Sequence, residues 1–334
     1  INLDYKPLNE INANDFSLDV FTSNEPLVIR GIVNDWPIVK KSSEDIQKIS
    51  EYLLCYYEND RIIAFASKSE LGNKFTYGPN ANQMSFEQLE STLDLVLETI
   101  NESSKLDNPG TVYMGSTTLD YVLPGFDKDN NFSIGDASPL KSIWVGNQTI
   151  VPPHYDVPDN IAFVCAGTRK FTLFPPSQLK NMYVGPLEHT PAGQPISLVD
   201  IDDPDLTKFP KFEEAMGHGL SAVLGPGDGI FIPSLWWHQV ESFGKLNILV
   251  NYWWRDVPTF MGNPMDALMH SILSIRDLPE HQKENWANMF QHYVFNNLDE
   301  NFNHIPDNLN GSHKKINDEL AKNLRTLLLK NLNR

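Results

Sequence analysis

The chain has 334 residues, of which 41% are hydrophobic and 21% are charged, and this balance is typical of a globular protein with a sizeable core. Its net charge of −17, from 26 basic and 43 acidic residues, disfavours nucleic acids and anionic membranes as direct partners. No apolar run reaches the roughly 18 to 20 residues of a membrane span, and the two cysteines show no CxxC spacing that would indicate a zinc ribbon. The first residues, INLDYKPLNE, lack a basic and then apolar signal segment, so we expect a cytoplasmic protein.

The N-terminal part of the chain is predicted to contain a strand followed by helices. The strand covers residues 26–37 and ends in the turn Asn34-Asp35-Trp36-Pro37. A first helix has one apolar face, made of Ile46, Ile49 and Leu53. A second helix is predicted to begin at the capping-box pair Ser85 and Gln88. Its apolar face is made of Phe86, Leu89, Leu93, Val96 and Ile100.

Residues 110–255 predict a series of strands that one long loop interrupts. The loop covers about residues 185–215, is rich in Pro and Asp, and shows no periodicity. Loops longer than about 12 to 15 residues are mostly functional lids or disordered segments. Because this loop lies between the segments that carry the candidate metal ligands, we expect it to border the mouth of an active site.

The pattern becomes helical after residue 258. One predicted face contains Trp286, Met289, Phe290 and Tyr293. A second face near the end of the chain contains Ile316, Leu320, Leu324, Leu327 and Leu328. An apolar terminal helix needs a partner, which is either the rest of the chain or a second copy of it.

His154 and Asp156 stand two residues apart in a segment that is predicted to be a strand. Successive side chains of a strand alternate between its two faces, so both project to the same side. His238 follows a Gly-rich turn at residues 225–229 and the pair Trp236-Trp237. Two imidazoles and one carboxylate leave coordination positions open for an organic co-substrate and O2, which suits Fe(II). The three residues therefore predict a non-haem iron centre.

The residues around this triad resemble the cupin-type JmjC hydroxylases, whose best-known member is the asparaginyl hydroxylase that acts on hypoxia-inducible factor. The resemblance covers most of residues 25–255. It is carried by His154-Tyr155-Asp156, Asn160, Gly167, the basic residue at 169, LFPP at 173–176, GDGIFIPSLWWHQVESF and VNYWW. It implies a mainly β fold: a double-stranded β-helix, or jelly-roll cupin barrel, with flanking helices and a helical C-terminal segment. It also implies Fe(II) as the metal and 2-oxoglutarate as the co-substrate.

In enzymes of this family, the resemblance implies, 2-oxoglutarate chelates the iron while a basic residue and hydroxyl groups hold its distal carboxylate. The basic position falls on Arg169, whose planar fork can grip a carboxylate through two hydrogen bonds. Lys170 is the alternative, although it faces the opposite side of a regular strand. Tyr113 matches the tyrosine whose hydroxyl helps to hold the carboxylate.

Further positions also follow the family pattern, with one departure. Asn160 and Asn251 match its polar pocket positions, and the amide of Asn251 interrupts an apolar run, so it needs partners that a ligand pocket would supply. Trp236 and Trp253 either help to form an apolar shell around the metal or belong to the core of the barrel. The departure is Val151, which stands where the family often has a threonine whose hydroxyl touches the co-substrate.

The resemblance implies two parts of the chain: a JmjC/cupin-like catalytic barrel with N-terminal flanking strands and helices over residues 1–258, and a helical extension over 259–334. Because such enzymes often dimerise through C-terminal helices, and a self-complementary apolar face suits two-fold association, we favour a homodimer.

The expected activity is Fe(II)- and 2-oxoglutarate-dependent hydroxylation of a C–H bond in a protein or peptide side chain or in a small molecule. One alternative is a non-catalytic cupin that binds a metal for stability or ligand sensing. A second alternative is a zinc hydrolase or isomerase, since two histidines and a carboxylate also bind catalytic zinc. Zinc favours a helical HExxH motif or a third histidine, and neither stands near the triad.

Overall fold

The computed structural model describes residues 5–68, 70, 73–78, 83–191, 193–296, 303–306, 311–313 and 315–333. The chain forms two compact units, Ile1–Arg255 and Asp256–Arg334, so the division falls close to the boundary predicted between residues 258 and 259. Within the described ranges, no helix combines the length and the apolar character that crossing a membrane requires.

The described part of the N-terminal unit contains twelve strands. Two of them are long and take part in both halves of the sheet. In chain order the twelve strands are β1 (Lys6–Pro7), β2 (Glu10–Asn12), β3 (Leu27–Arg30), β4 (Ile62–Ser67), β5 (Glu87–Ser91), β6 (Thr111–Thr118), β7 (Leu140–Gly146), β8 (Thr149–Tyr155), β9 (Asp159–Phe174), β10 (Leu220–Leu224), β11 (Gly229–Ile232) and β12 (Trp237–Trp254). The long strands β9 and β12 pair along both of their halves. One pair of halves continues into β11, β3 and β2 on one side and into β7, β6, β4 and β5 on the other. The second pair continues into β10 and β1 on one side and into β8 on the other. The predicted double-stranded β-helix with flanking helices is confirmed.

Gly167 lies where β9 passes from one pair of halves to the other. Its φ is +77°, a conformation that glycine adopts readily. A Cβ at this position would lie 2.6 Å from the carbonyl oxygen of Leu246 and would overlap the side-chain oxygen of Asn247. The register between the two long strands is interrupted nearby, between Phe243 and Ile248. The bend of β9 against β12 therefore requires glycine at residue 167, because a side chain there would overlap β12.

The helices of the N-terminal unit are short. They are α1 (Pro37–Lys40), α2 (Ile46–Leu54), α3 (Leu93–Ser103), α4 (Leu119–Val122), α5 (Phe126–Asp129) and α6 (Phe212–Met216). Helix α2 begins after Asp45, whose side chain accepts a hydrogen bond from the backbone N–H of Lys48. The predicted apolar face of α2 is confirmed, since Ile49 and Leu53 are buried.

The prediction of a helix that begins at Ser85 is wrong for the first half of that segment. Glu87–Ser91 forms strand β5, which is antiparallel to β4, and α3 begins only after Thr92. The hydroxyl of Ser85 caps no helix; it donates to the carbonyl oxygen of Lys74 and accepts from the N–H of Thr76. The free edge of β4 supplies backbone partners to β5, and this tertiary pairing overrides the local helical spacing.

The strand that was predicted over residues 26–37 is shorter in the structure and ends at Arg30. Strand β3 is followed by a turn, and the carboxylate of Asp228 holds the beginning of that turn. Asp228 accepts hydrogen bonds from the Arg30 guanidinium at 2.8 Å and from the N–H of Gly31 at 3.0 Å. The Gly-Asp turn before β11 is thereby fastened to β3, which pairs with β11.

The C-terminal unit is helical, as predicted. It contains α7 (Pro264–Ile275), α8 (Glu280–Phe290), a π-helical turn (Gln291–Phe295) and α9 (Asp318–Leu332). Among its described residues, Ala321 alone is buried. Large apolar side chains of this unit are exposed: Leu268, Leu273, Trp286, Met289, Tyr293, Val294, Phe295, Leu327, Leu328, Leu329 and Leu332. Such a surface is typical of helices that pack against a partner.

Replacing Gly167 by alanine should destabilise the barrel more than the same change at Gly244. Both glycines have positive φ, which alone costs alanine about 1 to 2 kcal/mol, but a Cβ at Gly244 meets no atom within 4 Å. We therefore expect a clearly larger loss of unfolding free energy for Gly167→Ala than for Gly244→Ala, measured by urea denaturation. Equal losses in the two variants would show that the approach of β12 does not constrain residue 167.

Candidate metal centre

The three predicted ligands meet because β8 and β12 are antiparallel neighbours. His154 on β8 is directly opposite His238 on β12, and the centroids of the two rings are 4.2 Å apart. Asp156 follows the end of β8, and its Oδ2 lies 3.7 Å from Nε2 of His238. The ligand atoms of the three residues all lie within 4.8 Å of one another. Among the residues that the structure describes, this is the one group of three or more His, Cys, Asp or Glu side chains that could hold a metal ion.

Both imidazoles are oriented through their Nδ1 atoms. His154 Nδ1 lies 2.8 Å from the carbonyl oxygen of Pro152, and His238 Nδ1 lies 3.0 Å from that of Trp236. A carbonyl oxygen only accepts hydrogen bonds, so each Nδ1 carries the proton and each Nε2 offers a lone pair. Burial, reinforced by the neighbouring His154, lowers the pKa of His238 to about 4. At neutral pH this imidazole is therefore uncharged, as a metal ligand must be.

The carboxylate of Asp156 has its own hydrogen-bond donor. The indole Nε1–H of Trp253 donates to Oδ2 at 3.1 Å, while the backbone N–H of Leu235 donates to the carbonyl oxygen of Asp156 at 2.8 Å. Leu235 has a φ of +65°, which is uncommon for a residue with a branched side chain. This strained turn joins Asp156 to the segment that leads into His238.

The triad faces a cavity of about 800 Å³. Of the predicted co-substrate residues, Tyr113, Asn160, Arg169 and Asn251 all line this cavity together with the three ligands. The fold thus brings together all seven predicted side chains. Six of them lie on β6, β8, β9 and β12, and the seventh, Asp156, directly follows β8. The apolar Val151 also lines the cavity, so the hydroxyl that the family often has there is missing in this chain. A β-bulge between residues 151 and 154 turns Val151 to the same side as His154.

Arg169 is the most unusual residue of the cavity wall. It is only 2% exposed, yet its Nε and Nη2 atoms have no hydrogen-bond partner within the described structure. Burial lowers the pKa of Arg169, and the nearby Tyr113 opposes this shift. An unpaired buried guanidinium is costly. The residues present therefore fit an anionic ligand with a planar carboxylate, such as the distal end of 2-oxoglutarate.

Lys170 points away from the cavity, as strand alternation predicts. Its Nζ lies 3.0 Å from Oε1 of Glu241, which is on β12. Of the two basic residues considered for the co-substrate, Arg169 is the one that lines the cavity.

Tyr113 stands beside Arg169 with a protonated hydroxyl. Burial raises the pKa of Tyr113 to about 12, while Arg169 opposes the shift. The ring stacks on Trp144 at a centroid distance of 5.9 Å. A Cβ on Gly146 would lie 2.7 Å from the Tyr113 ring, so glycine at this position leaves the space that the ring occupies. The phenol can donate a hydrogen bond to the same anion as Arg169.

The amide of Asn251 finds its partners within the protein. Its Oδ1 accepts from the indole of Trp144 at 2.7 Å, and its Nδ2 donates to Oδ1 of Asn160 at 3.2 Å. The expectation that a ligand would supply these partners needs correction, because the Trp144–Asn251–Asn160 chain already does so. Asn251 thereby orients Asn160, which also lines the cavity.

The two tryptophans that were considered for the apolar shell have different places. Trp253 lines the cavity and holds Asp156. Trp236 lies instead in a core cluster with Val28 and Ile230, and its indole donates to the carbonyl oxygen of Asn24. Of the two alternatives, Trp236 thus belongs to the core and Trp253 to the wall of the cavity.

Aromatic residues that sequence reasoning did not single out complete the wall. They are Phe65, Phe75, Tyr121, Trp144 and Phe171. Strand alternation on β4 and β7 could have indicated Phe65 and Trp144, but the pairing of these strands with β6 was not available from local patterns. The loop over residues 185–215 also reaches the cavity, through Thr190, Pro191, Gly193, Gln194 and Ile196. Residue 192 of this loop is outside the described residues.

Comparison with known proteins agrees with this site. The cupin-like domain family matches residues 13–260. JmjC domain-containing protein F of Dictyostelium discoideum is 27% identical over 292 residues, which cover 74% of this chain and 60% of that protein. Lysine-specific demethylase JMJ31 of Arabidopsis thaliana is 33% identical over 131 residues, or 38% of this chain and 23% of the demethylase.

Human tRNA wybutosine-synthesizing protein 5 is 32% identical over 188 residues, which cover 50% of this chain and 53% of that protein. This chain thus spans less than two thirds of the length of each of these relatives. Because the family match extends over most of the chain and includes all seven predicted site residues, the chain belongs to the cupin-like JmjC domain family.

Proposed function

We propose that this protein hydroxylates a C–H bond of a protein or peptide side chain, or of a small molecule, with Fe(II) and 2-oxoglutarate. The observation that carries the proposal is one cavity with two chemically complementary features. One is the His154, Asp156 and His238 triad, and the other is the buried guanidinium of Arg169, whose Nε and Nη2 have no hydrogen-bond partner among the described residues. A metal with open coordination positions and an anchor for a carboxylate are what this reaction requires.

The residues of the chain supply binding, orientation and a dry environment. When bound, iron and 2-oxoglutarate supply the activation of O2 and the oxidising power for the C–H bond. Arg169 and Tyr113 would hold the distal carboxylate by a charge-assisted and a neutral hydrogen bond. Trp253 fixes the carboxylate of Asp156, and aromatic side chains line the space where a substrate group would lie.

The two alternative functions make different demands on the cavity. A zinc hydrolase needs a general base beside the metal, but Asp156 is the one carboxylate among the described residues that line the cavity, and it is a candidate ligand. A non-catalytic cupin gains some support from Val151, which removes one hydroxyl from the pocket. The buried guanidinium favours the oxygenase, because a purely structural metal gives it no role.

The substrate class is a proposal that rests on charge and on the relatives' names. Those names include lysine-specific demethylases and a tRNA wybutosine-synthesizing protein. The net charge of −17 favours a neutral or basic peptide, or a small molecule, over a nucleic acid or a membrane surface. We also propose a cytoplasmic location and a homodimer that forms through the exposed apolar faces of the C-terminal helices.

Anaerobic addition of Fe(II) and 2-oxoglutarate should produce a weak visible charge-transfer band. We expect Asp156→Ala to abolish the band, because removal of one of three ligands weakens metal binding. Aerobic succinate formation in the wild type then separates an enzyme from a silent binder. A protein that binds zinc tightly but gives neither the band nor succinate would contradict the oxygenase proposal.

Replacement of Arg169 should weaken 2-oxoglutarate binding far more than replacement of Lys170. Loss of a charge-assisted pair to a buried anion costs roughly 2 to 4 kcal/mol, so Arg169→Ala should raise the Kd for 2-oxoglutarate by about 30-fold or more. Titration of the charge-transfer band measures this Kd. The matched control is Lys170→Ala, for which we expect little change, and the reverse ranking would identify Lys170 as the anchor.

Light scattering should give twice the mass of a single chain. The double variant Leu327→Glu/Leu328→Glu places charges on an exposed apolar face of α9 and should shift the protein to the monomer. Lys322→Glu, on the same helix but on no predicted apolar face, is the control. A monomeric wild type would refute the dimer without touching the proposal for the metal site.

A further inference from the structure

Strand β8 carries His154, and two segments of the chain pair with the edge of β8 that faces away from β12. We call them the covering segments. The first covering segment, residues 73–78, pairs with the beginning of β8. The N–H of Phe75 donates to the carbonyl oxygen of Ile150 at 2.9 Å, and the N–H of Ile150 donates to that of Asn73 at 2.7 Å. This segment also contributes the ring of Phe75 to the cavity wall.

The second covering segment, residues 193–202, pairs with the end of β8. The N–H of Ser197 donates to the carbonyl oxygen of Pro153 at 2.7 Å, and Ile196 forms an isolated β-bridge with His154 itself. Gln194 and Ile196 line the cavity. The strand that carries a candidate metal ligand is thus paired along its free edge by two segments that also form part of the cavity wall.

Lys74 connects the two covering segments. Its Nζ lies 2.6 Å from Oδ1 of Asp200 and 3.7 Å from Oδ2 of Asp202. Asp202 in turn accepts a hydrogen bond from Nε2 of Gln239 at 3.0 Å. Gln239 directly follows His238, so the network reaches the strands of both histidine ligands.

The charges around this contact explain why the lysine matters. Asp200 and Asp202 both face its ammonium group, and Glu241 lies close by, where it is paired with Lys170 and accepts from Gln239. The side chain of Lys74 is only 23% exposed, so water screens the contact incompletely. Without Lys74 the two aspartates would repel each other where the second segment meets the sheet.

We propose that Lys74 is a positioning residue that holds the second covering segment against β8. The ammonium group neutralises Asp200 and Asp202 and thereby keeps the Ile196 edge beside His154. The consequence for turnover rests on the proposed oxygenase function; the structural effect does not.

Hydrogen exchange of the metal-free protein tests the structural effect directly. We expect Lys74→Met to accelerate exchange at the amides of Ser197 and Leu198, which donate to Pro153 and Tyr183, by roughly fivefold, as for loss of a partly buried ion pair. The matched control is Lys141→Met, because Lys141 is equally buried and forms a 2.9 Å pair with Asp127 away from the covering segments. Lys74→Arg should restore the wild-type exchange.

The outcomes separate the two proposals. Unchanged exchange over residues 196–198 in Lys74→Met overturns the role of Lys74, whatever the activity. If Lys74→Met does not fold, Lys74→Gln removes the same ammonium charge with a polar side chain and is read in the same way.

For turnover, measured with ascorbate as the two-electron reductant that replaces the prime substrate, we expect Lys74→Met to keep the 2-oxoglutarate titration midpoint but to increase succinate formation several-fold, because a loosened wall gives the reductant access to the cavity. An enzyme without any succinate formation, but with faster exchange, would refute the oxygenase and leave the positioning role intact. Faster exchange with unaltered succinate formation would refute the catalytic consequence.

Discussion

The antiparallel pairing of β8 with β12 is the constraint on which the site depends. It places His154 opposite His238 and brings Asp156 within reach of both. Because strand side chains alternate with a period of two, a slip by one residue would turn His238 to the opposite face of the sheet and dissolve the triad. Several features fix this register, among them the β-bulge that precedes His154, the hydrogen bond from Leu235 to Asp156 and the bend at Gly167. The metal centre is therefore a property of the barrel as a whole.

The buried guanidinium of Arg169 makes the cavity incomplete without a ligand. Its Nε and Nη2 have no hydrogen-bond partner in the described parts of the chain, while Lys170 beside it is already paired with Glu241. The protein thus carries a desolvated positive charge that an anion would neutralise. Ligand binding and folding stability are coupled in such a site, because a ligand that binds only the folded state stabilises that state. The contrast between these adjacent basic residues follows from strand alternation, which sends one inward and the other outward.

Local patterns predicted some elements correctly and failed where another part of the chain competed. Ile49 and Leu53 form the buried side of a helix, because none of the described strands pairs with that segment. Glu87–Ser91, with equally convincing helical spacing, became an edge strand because β4 offered it a row of backbone partners. The difference is one of long-range hydrogen bonding, which local periodicity does not contain. The same limit explains Trp236, which turned into the core, and Trp144, whose bond to Asn251 was not foreseen.

From the sequence by itself, strand alternation and motif context predicted the three candidate metal ligands, because both are local properties of the chain. The resemblance to the cupin-type JmjC hydroxylases implied the fold class and the pocket residues Tyr113, Asn160, Arg169 and Asn251. Tertiary structure alone decided which groups those residues meet. It left Nε and Nη2 of Arg169 without a partner among the described residues, gave Asn251 two protein partners, and joined the covering segments through Lys74. These contacts join residues far apart in the chain, so they depend on strand register and on the bends at the barrel corners. Those features form only when the whole sheet closes and buries its core.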